Sequence, residues 1–200
     1  MKILLSAFVM LLAAATGVRA DVITGQPAPN FTLADTNGTN HSLSDYKGKF
    51  VVLEWINPDC PFVKKHYGSG NMQGLQKKYT GQGVIWLSID SSAPGTEGHY
   101  PPDKINDWAK KMNSSANALF VDDNGKVARI FGAKTTPHMF IIDPKGTLVY
   151  QGAIDSVPSA DKADIAGAKN FVQMALDESM AGKSVSNPST KSYGCSVKYQ

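Results

Sequence analysis

Arginine is nearly absent from this 200-residue chain: Arg19 and Arg129 are the only two. Clusters of guanidinium groups that grip phosphates bidentately are therefore excluded. The lysines are scattered, and once Lys2 and Arg19 are set aside, 18 basic side chains face 17 acidic ones. That balance calls for neither nucleic acid nor an anionic membrane as partner. Cysteine is as scarce, with only Cys60 and Cys195. One pairing within the chain is all they allow, and closing so long a loop is worth roughly 5 kcal/mol at most. No repeat or low-complexity block occurs, and no apolar run beyond residue 15 is long enough to cross a bilayer.

What is present begins with an address. Lys2 gives a positive start, residues 3–15 are almost unbroken in apolar character, and Val18-Arg19-Ala20 resembles a small-residue cleavage site. Such a segment reads as a secretory signal, residues 1–20, with an uncleaved N-terminal anchor as the alternative. The mature protein then starts near Asp21 and is expected to be exported, to the periplasm of a Gram-negative source or beyond the cell, with no stable membrane insertion after cleavage. Residues 21–182 suffice for one domain with its own core, followed by a tail, residues 183–200. An even cysteine count in an exported chain permits a disulfide.

The most informative position is Cys60. The β-branched and apolar run Val51-Val52-Leu53-Glu54-Trp55-Ile56 ends in the turn Asn57-Pro58-Asp59, and Cys60-Pro61 then opens a predicted helix. Proline is favoured at the first helical position, which makes Cys60 the N-cap. Unpaired N–H groups and the positive end of the helix dipole favour thiolate there, and thiolate is the reactive form. A buried inert cysteine or half of a structural disulfide is the alternative. Glu54 is the second candidate. A strand places it on one face with Ile56 and Trp55 on the other, and a carboxyl in a central strand is costly unless neutral or paired. A salt bridge to a lysine is the plainer account of it.

Along the chain, Asp35-Thr36-Asn37-Gly38-Thr39 predicts a hairpin turn, with a strand over residues 50–56 after a short turn at 44–48. The helix after Cys60 is expected to break at Gly68-Ser69-Gly70 and resume with Asn71 as cap, burying Met72, Leu75 and Tyr79. A buried strand at 84–89, a long polar loop at 91–102 and a helix carrying Ile105, Trp108, Ala109 and Met112 follow. Then come a short strand at 119–121, a helix through Val127, Ile130 and Phe131 ended by Gly132, and a hairpin about Pro144-Lys145-Gly146. The last predicted helix spans 163–180, with Ile165, Ala168, Phe171, Val172, Ala175 and Leu176 inward. The tail has no periodicity. Trp55, Trp86 and Trp108 are assigned to the core, and His66 to the surface or a cap. Strands alternating with helices, then a hairpin and a last helix, predict a three-layer α/β sandwich with a mixed central sheet and an N-terminal β-hairpin. The order β–α–β–α–β–β–α is that of a thioredoxin fold.

Thr136-Pro137 stands directly before the hairpin strand, where proline marks a strand entrance rather than a ladder residue. Five motifs now occur in order: Pro27-Ala28-Pro29-Asn30-Phe31, Ser42-Leu43-Ser44-Asp45-Tyr46-Lys47-Gly48-Lys49, the Cys60 segment, Thr136-Pro137 and Phe140-Ile141-Ile142-Asp143-Pro144-Lys145-Gly146. Together they resemble the redoxins of the alkyl hydroperoxide reductase/thiol-specific antioxidant group of the thioredoxin superfamily, in the peroxiredoxin-like subgroup with Cys-Pro-Phe or Cys-Pro-Tyr. The resemblance implies a cis-proline at Pro137 facing Cys60, with Pro61, Thr136 and His138 lining the site. It makes Cys60 the nucleophilic cysteine and Glu54 a buried acid that handles protons in thiol exchange. The chain departs from both parents. Val63 stands where thioredoxins carry their second cysteine; in the peroxiredoxin pattern Cys60 takes the threonine position and Val63 the peroxidatic one, and the expected arginine is replaced at Pro137.

Three readings result. In the first, Cys60 attacks a disulfide of a protein or small molecule, and Cys195, from a mobile tail, resolves the mixed disulfide; an external thiol is the electron donor. In the second, Cys60 reduces peroxide through a sulfenic acid that Cys195 resolves within or between chains. The third is a permanent Cys60–Cys195 staple in a binding domain. Copper-handling relatives use Cys-x-x-x-Cys, which this chain lacks, so no metal and no cofactor are expected. His138, next to Pro137, is a candidate to stabilise the thiolate, with an ordinary strand hydrogen bond as the alternative. The loop 91–102 is a candidate wall for a substrate groove.

Overall fold

β3 (Val51–Ile56) is buried at every position, so both of its faces must be covered. Val51, Leu53 and Trp55 join one apolar cluster, whereas Val52 and Ile56 join another that includes Cys60. The computed structural model describes residues 22–199, and the expected signal at 1–20 lies outside them. β3 is the middle strand of a five-stranded sheet ordered β5-β4-β3-β7-β8. Its neighbours are β4 (Ile85–Asp90), parallel, and β7 (His138–Ile142), antiparallel. β5 (Ala118–Val121) adds in parallel outside β4, and β8 (Leu148–Gly152) closes the other edge as the hairpin partner of β7. The N-terminal hairpin is β1 (Thr32–Ala34) with β2 (Asn40–Ser42).

On the Cys60 face pack α1 (Pro61–Gly68), α2 (Asn71–Thr80) and α5 (Phe171–Met180), through Val63, Tyr67, Met72, Leu75, Tyr79, Val172, Ala175 and Leu176. On the other lie α4 (Lys126–Phe131) and the flanks of the hairpin, Phe31 and Leu43. α3 (Pro102–Lys111) buries Ile105 and Ala109. The fold is the thioredoxin-like sandwich that the order of elements predicts.

Several local expectations need correction. Residues 163–180 are not one helix: a 3-10 segment (Lys162–Gly167) precedes α5, because the Asn170 side chain accepts the Gln173 N–H and caps a new start. Ile165, Ala168 and Phe171 are accordingly only half-buried. Gly70, at φ 79°, is the cap of α2 in place of Asn71, whose amide turns to His66. His66 is fully buried, not at the surface. Trp108 is half-buried, its ring tilted over Tyr67 at 4.8 Å. Salt-bridge pairing of Glu54 with lysine is also absent among the described residues: its partners are Tyr67, Gln76, Trp86 and Ser88.

The tail, expected to be mobile, is packed. β9 (Cys195–Ser196) pairs antiparallel with β6 (Thr135–Thr136), in the register Thr136↔Cys195. Gly194 makes the approach possible: at φ 126° a Cβ there would meet the Thr136 carbonyl oxygen at 2.0 Å. Val197 enters the core, and its N–H donates to Lys134 O at 3.0 Å.

Candidate active site

The loop before Cys60 is shaped by Asn57. Its Oδ1 accepts the N–H groups of Asp59 (2.8 Å) and Cys60 (3.2 Å), and its amide donates to Glu97 O at 2.9 Å. An Asn-Pro step is a turn-initiation signal, so this residue was findable in the sequence, although the reading above gave it no role. The turn delivers Cys60 to the N-cap of α1 with Pro61 at the first helical position, as predicted. The Cys60 side chain is 2% exposed.

Thr136, Pro137 and Cys195 surround the sulfur. The Thr136–Pro137 peptide is cis, and the Cys60 thiol lies 3.0 Å from Thr136 O. β9 sets Cys195 opposite Thr136, near enough to the Cys60 sulfur for each cysteine to shift the other's titration; both are unbonded thiols. Burial pushes the Cys60 pKa up, but the Cys195 and Thr136 side chains and the Val63 and Cys195 backbone N–H groups outweigh it, leaving it below the ordinary value. The Thr136 carbonyl works the other way, since it accepts from the S–H and offers the thiolate nothing. Cys195 is pushed up to about 12 by burial, by its hydrogen bond to Cys60 and by the Cys60 charge. Cys60 is therefore the more acidic sulfur of the two and Cys195 the one that keeps its proton.

Glu54 and His138 do not join this group. Glu54 is fully buried, and its carboxylate accepts from Trp86 Nε1 (2.7 Å), Ser88 Oγ (2.9 Å), Tyr67 Oη (3.0 Å) and Gln76 Nε2 (3.1 Å). Burial raises its pKa against those four donors. None of these partners is a cysteine. His138 packs its ring on Phe140 at 4.4 Å, and its Nδ1 accepts the Lys134 N–H at 3.2 Å. Burial, then the Lys134 charge, lowers its pKa to about 3, so at neutral pH it carries no positive charge to offer a thiolate.

Between α1 and α3 runs a cavity of about 480 Å³ lined by Pro58, Asp59, Tyr67, Tyr100, Trp108 and Met112, among others. Tyr100, from the loop 91–102, reaches it and donates to Asp59 Oδ2 at 2.8 Å. The loop is less polar in placement than in composition, because Ser91, Ser92 and Ala93 are buried.

The fold and its sequence place this protein among the thiol-based oxidoreductases of thioredoxin-like structure. The chain belongs to the AhpC/TSA family, whose sequence pattern matches residues 24–151. It is 25% identical over 127 residues to the thiol-disulfide oxidoreductase ResA of Bacillus thuringiensis subsp. konkukian, covering 64% of this chain and 68% of that one. Identity to the chloroplastic peroxiredoxin Q of Triticum aestivum is 30% over 147 residues, covering 69% of this chain and 63% of that one. The crystal structure of a hypothetical protein from Sinorhizobium meliloti 1021 superposes with a TM-score of 0.76 at 23% identity, covering 90% of this chain and 97% of that one. The family match holds Cys60, Thr136 and Pro137; Cys195 lies beyond it.

Two measurements check this geometry. The alkylation rate of Cys60 is expected to rise through a midpoint below pH 9.0, the ordinary thiol value. Cys195→Ala removes one donor and should move that midpoint up by about one pH unit, the size of one hydrogen bond to a charged group. For Glu54, the folded state binds its proton more tightly than the unfolded chain. The Glu54 contribution to stability is therefore fully present below pH 4.5 and is lost as pH rises from there through the folded pKa. Each tenfold difference in proton affinity contributes about 1.4 kcal/mol to that fall. Glu54→Gln, which mimics the neutral carboxyl, should flatten it in urea unfolding across a pH series. Unchanged thiol exchange in the same variant would place Glu54 outside proton transfer.

Proposed function

We propose that this protein is an exported thiol–disulfide oxidoreductase in which Cys60 is the nucleophile and Cys195 the resolving cysteine. The observation that carries the reading is the pairing of β9 with β6, which sets Cys195 opposite Thr136, the residue whose carbonyl oxygen lies 3.0 Å from the Cys60 sulfur, with opposite pKa directions on the two sulfurs. The Cys60 thiolate attacks one sulfur of a substrate disulfide, forming a mixed disulfide and releasing the first substrate thiol. Cys195 then gives up its proton and attacks the Cys60 sulfur. The Cys60–Cys195 bond forms as the second substrate thiol leaves. The substrate has gained two electrons, and an external thiol must return them to the protein; run in reverse, the same steps oxidise a dithiol. Pro61 fixes the start of α1, and Thr136 and Pro137 form the wall against which the sulfurs exchange. Glu54, a buried acid of raised pKa held by four side chains, is the candidate for handling protons in this exchange, the role its Gln variant tests. Export rests on the leader-like residues 1–20 and on the disulfide-permissive cysteine count.

The likeness to peroxiredoxin Q and membership of the AhpC/TSA family favour a second reading, reduction of peroxide. There Cys60 is oxidised to the sulfenic acid as the peroxide O–O bond breaks, and Cys195 displaces water to form the same disulfide.

The deciding measurement is the reduction potential of the pair in the full mature chain, by redox-buffer equilibration and alkylation mapping. A potential between about −120 and −270 mV is expected for turnover, and one below about −300 mV would make the bond a structural staple. Mixing the reduced protein with equimolar hydrogen peroxide tests the second reading. Loss of one peroxide per protein with formation of Cys60–Cys195 within seconds supports it, and persistence of peroxide over minutes removes it.

A further inference from the structure

β9 is two residues long, too short to hold Cys195 in place by backbone pairing alone. After Cys195 the tail is fixed by buried Val197 and by the Ala93 N–H donating to Lys198 O at 2.9 Å. Before it, the side chain that turns inward is Tyr193. Its phenol donates to Asp155 Oδ1 at 2.5 Å, and its ring meets Phe62 edge-on at 5.7 Å. His66 Nε2 lies 3.2 Å from the same phenol oxygen, while its Nδ1 accepts from the Asn71 amide at 2.9 Å. These contacts define one direction of donation: Asn71 to His66, His66 to Tyr193, Tyr193 to Asp155. Burial keeps His66 neutral, as that order requires. Asp155 Oδ1 also accepts the Val157 N–H, and Oδ2 has no hydrogen bond but faces the buried ammonium of Lys65 at 3.7 Å.

Lys65, His66 and Asp155 are buried, and the thiol chemistry uses none of them. Burying three ionisable groups is costly unless they are paired and hydrogen-bonded, as Lys65 and Asp155 are with each other and with their neighbours. What they bring together is α1, which starts at Cys60, and the tail, which carries Cys195. We infer that Tyr193 is a positioning residue whose bond to Asp155 holds Cys195 against Cys60. The inference rests on the reading of Cys195 as the resolving cysteine.

Tyr193→Phe keeps the ring on Phe62 and removes the hydroxyl. The reaction to follow is two protein thiols plus oxidised glutathione giving the Cys60–Cys195 disulfide plus two reduced glutathiones. Its equilibrium constant is expected to fall about tenfold, the effect of one charge-assisted hydrogen bond. In a Cys60→Ser background the same change should raise the maleimide reaction rate of Cys195 about tenfold, because the tail opens more often. Asp155→Asn, which keeps an acceptor but not its charge, should shift both readings in the same direction. Unchanged values in both variants overturn the inference, and a wild-type disulfide then leaves the thiol-exchange reading intact. If the wild type forms no such disulfide yet Tyr193→Phe speeds the maleimide reaction, the resolving role of Cys195 fails and the latch on the tail stands.

Discussion

The antiparallel pairing of Thr136 with Cys195 is the contact on which the rest of the site depends. Thr136 supplies the backbone wall beside the Cys60 sulfur, and the same residue provides the edge that receives the tail. Without it, the helix N-terminus would hold a single cysteine facing solvent. With it, the sulfur is covered and a second thiol is delivered from 135 residues further along the chain. Gly194 is the local condition, since any side chain there would collide with the Thr136 carbonyl.

This arrangement replaces a short-range device with a long-range one. Where two cysteines share one helical turn, their spacing is set by the helix itself. Here α1 carries Val63 at that place, buried in the core. The second sulfur comes from β9, which pairs with β6 in a separate two-stranded ladder, so its position is set by packing on either side of Cys195. Burial raises the pKa of both sulfurs; at Cys60 the Cys195 and Thr136 side chains and the Val63 and Cys195 amides outweigh it, whereas at Cys195 the neighbouring Cys60 adds to it.

Glu54 and His138 show how much residue type alone leaves open. Both were chosen because a buried ionisable group in a strand next to the site invites a chemical role. The structure gives each a complete set of partners elsewhere: Trp86, Ser88, Tyr67 and Gln76 for Glu54, the Lys134 amide and the Phe140 ring for His138. The reverse error befell His66, which is buried although it follows two lysines in an amphipathic helix, a pattern that does not mark burial. Tyr193 lies in a stretch with no periodicity, and nothing local marks its inward turn.

Much was legible from local rules. The turn at Asn37-Gly38, the N-cap at Cys60 with proline after it, the break at Gly68-Ser69-Gly70 and the proline at the entrance of β7 each follow from steric preferences of one or two residues. The alternation of strands with amphipathic helices gave the sandwich. The sequence alone therefore determined the fold class and the place of Cys60 at the N-terminus of α1. Tertiary structure alone decided that the tail is a strand, that Cys195 meets Cys60, and that Lys65, His66 and Asp155 share a buried cluster with Tyr193. These are contacts between residues far apart in the chain, and no local preference encodes a distance across the fold.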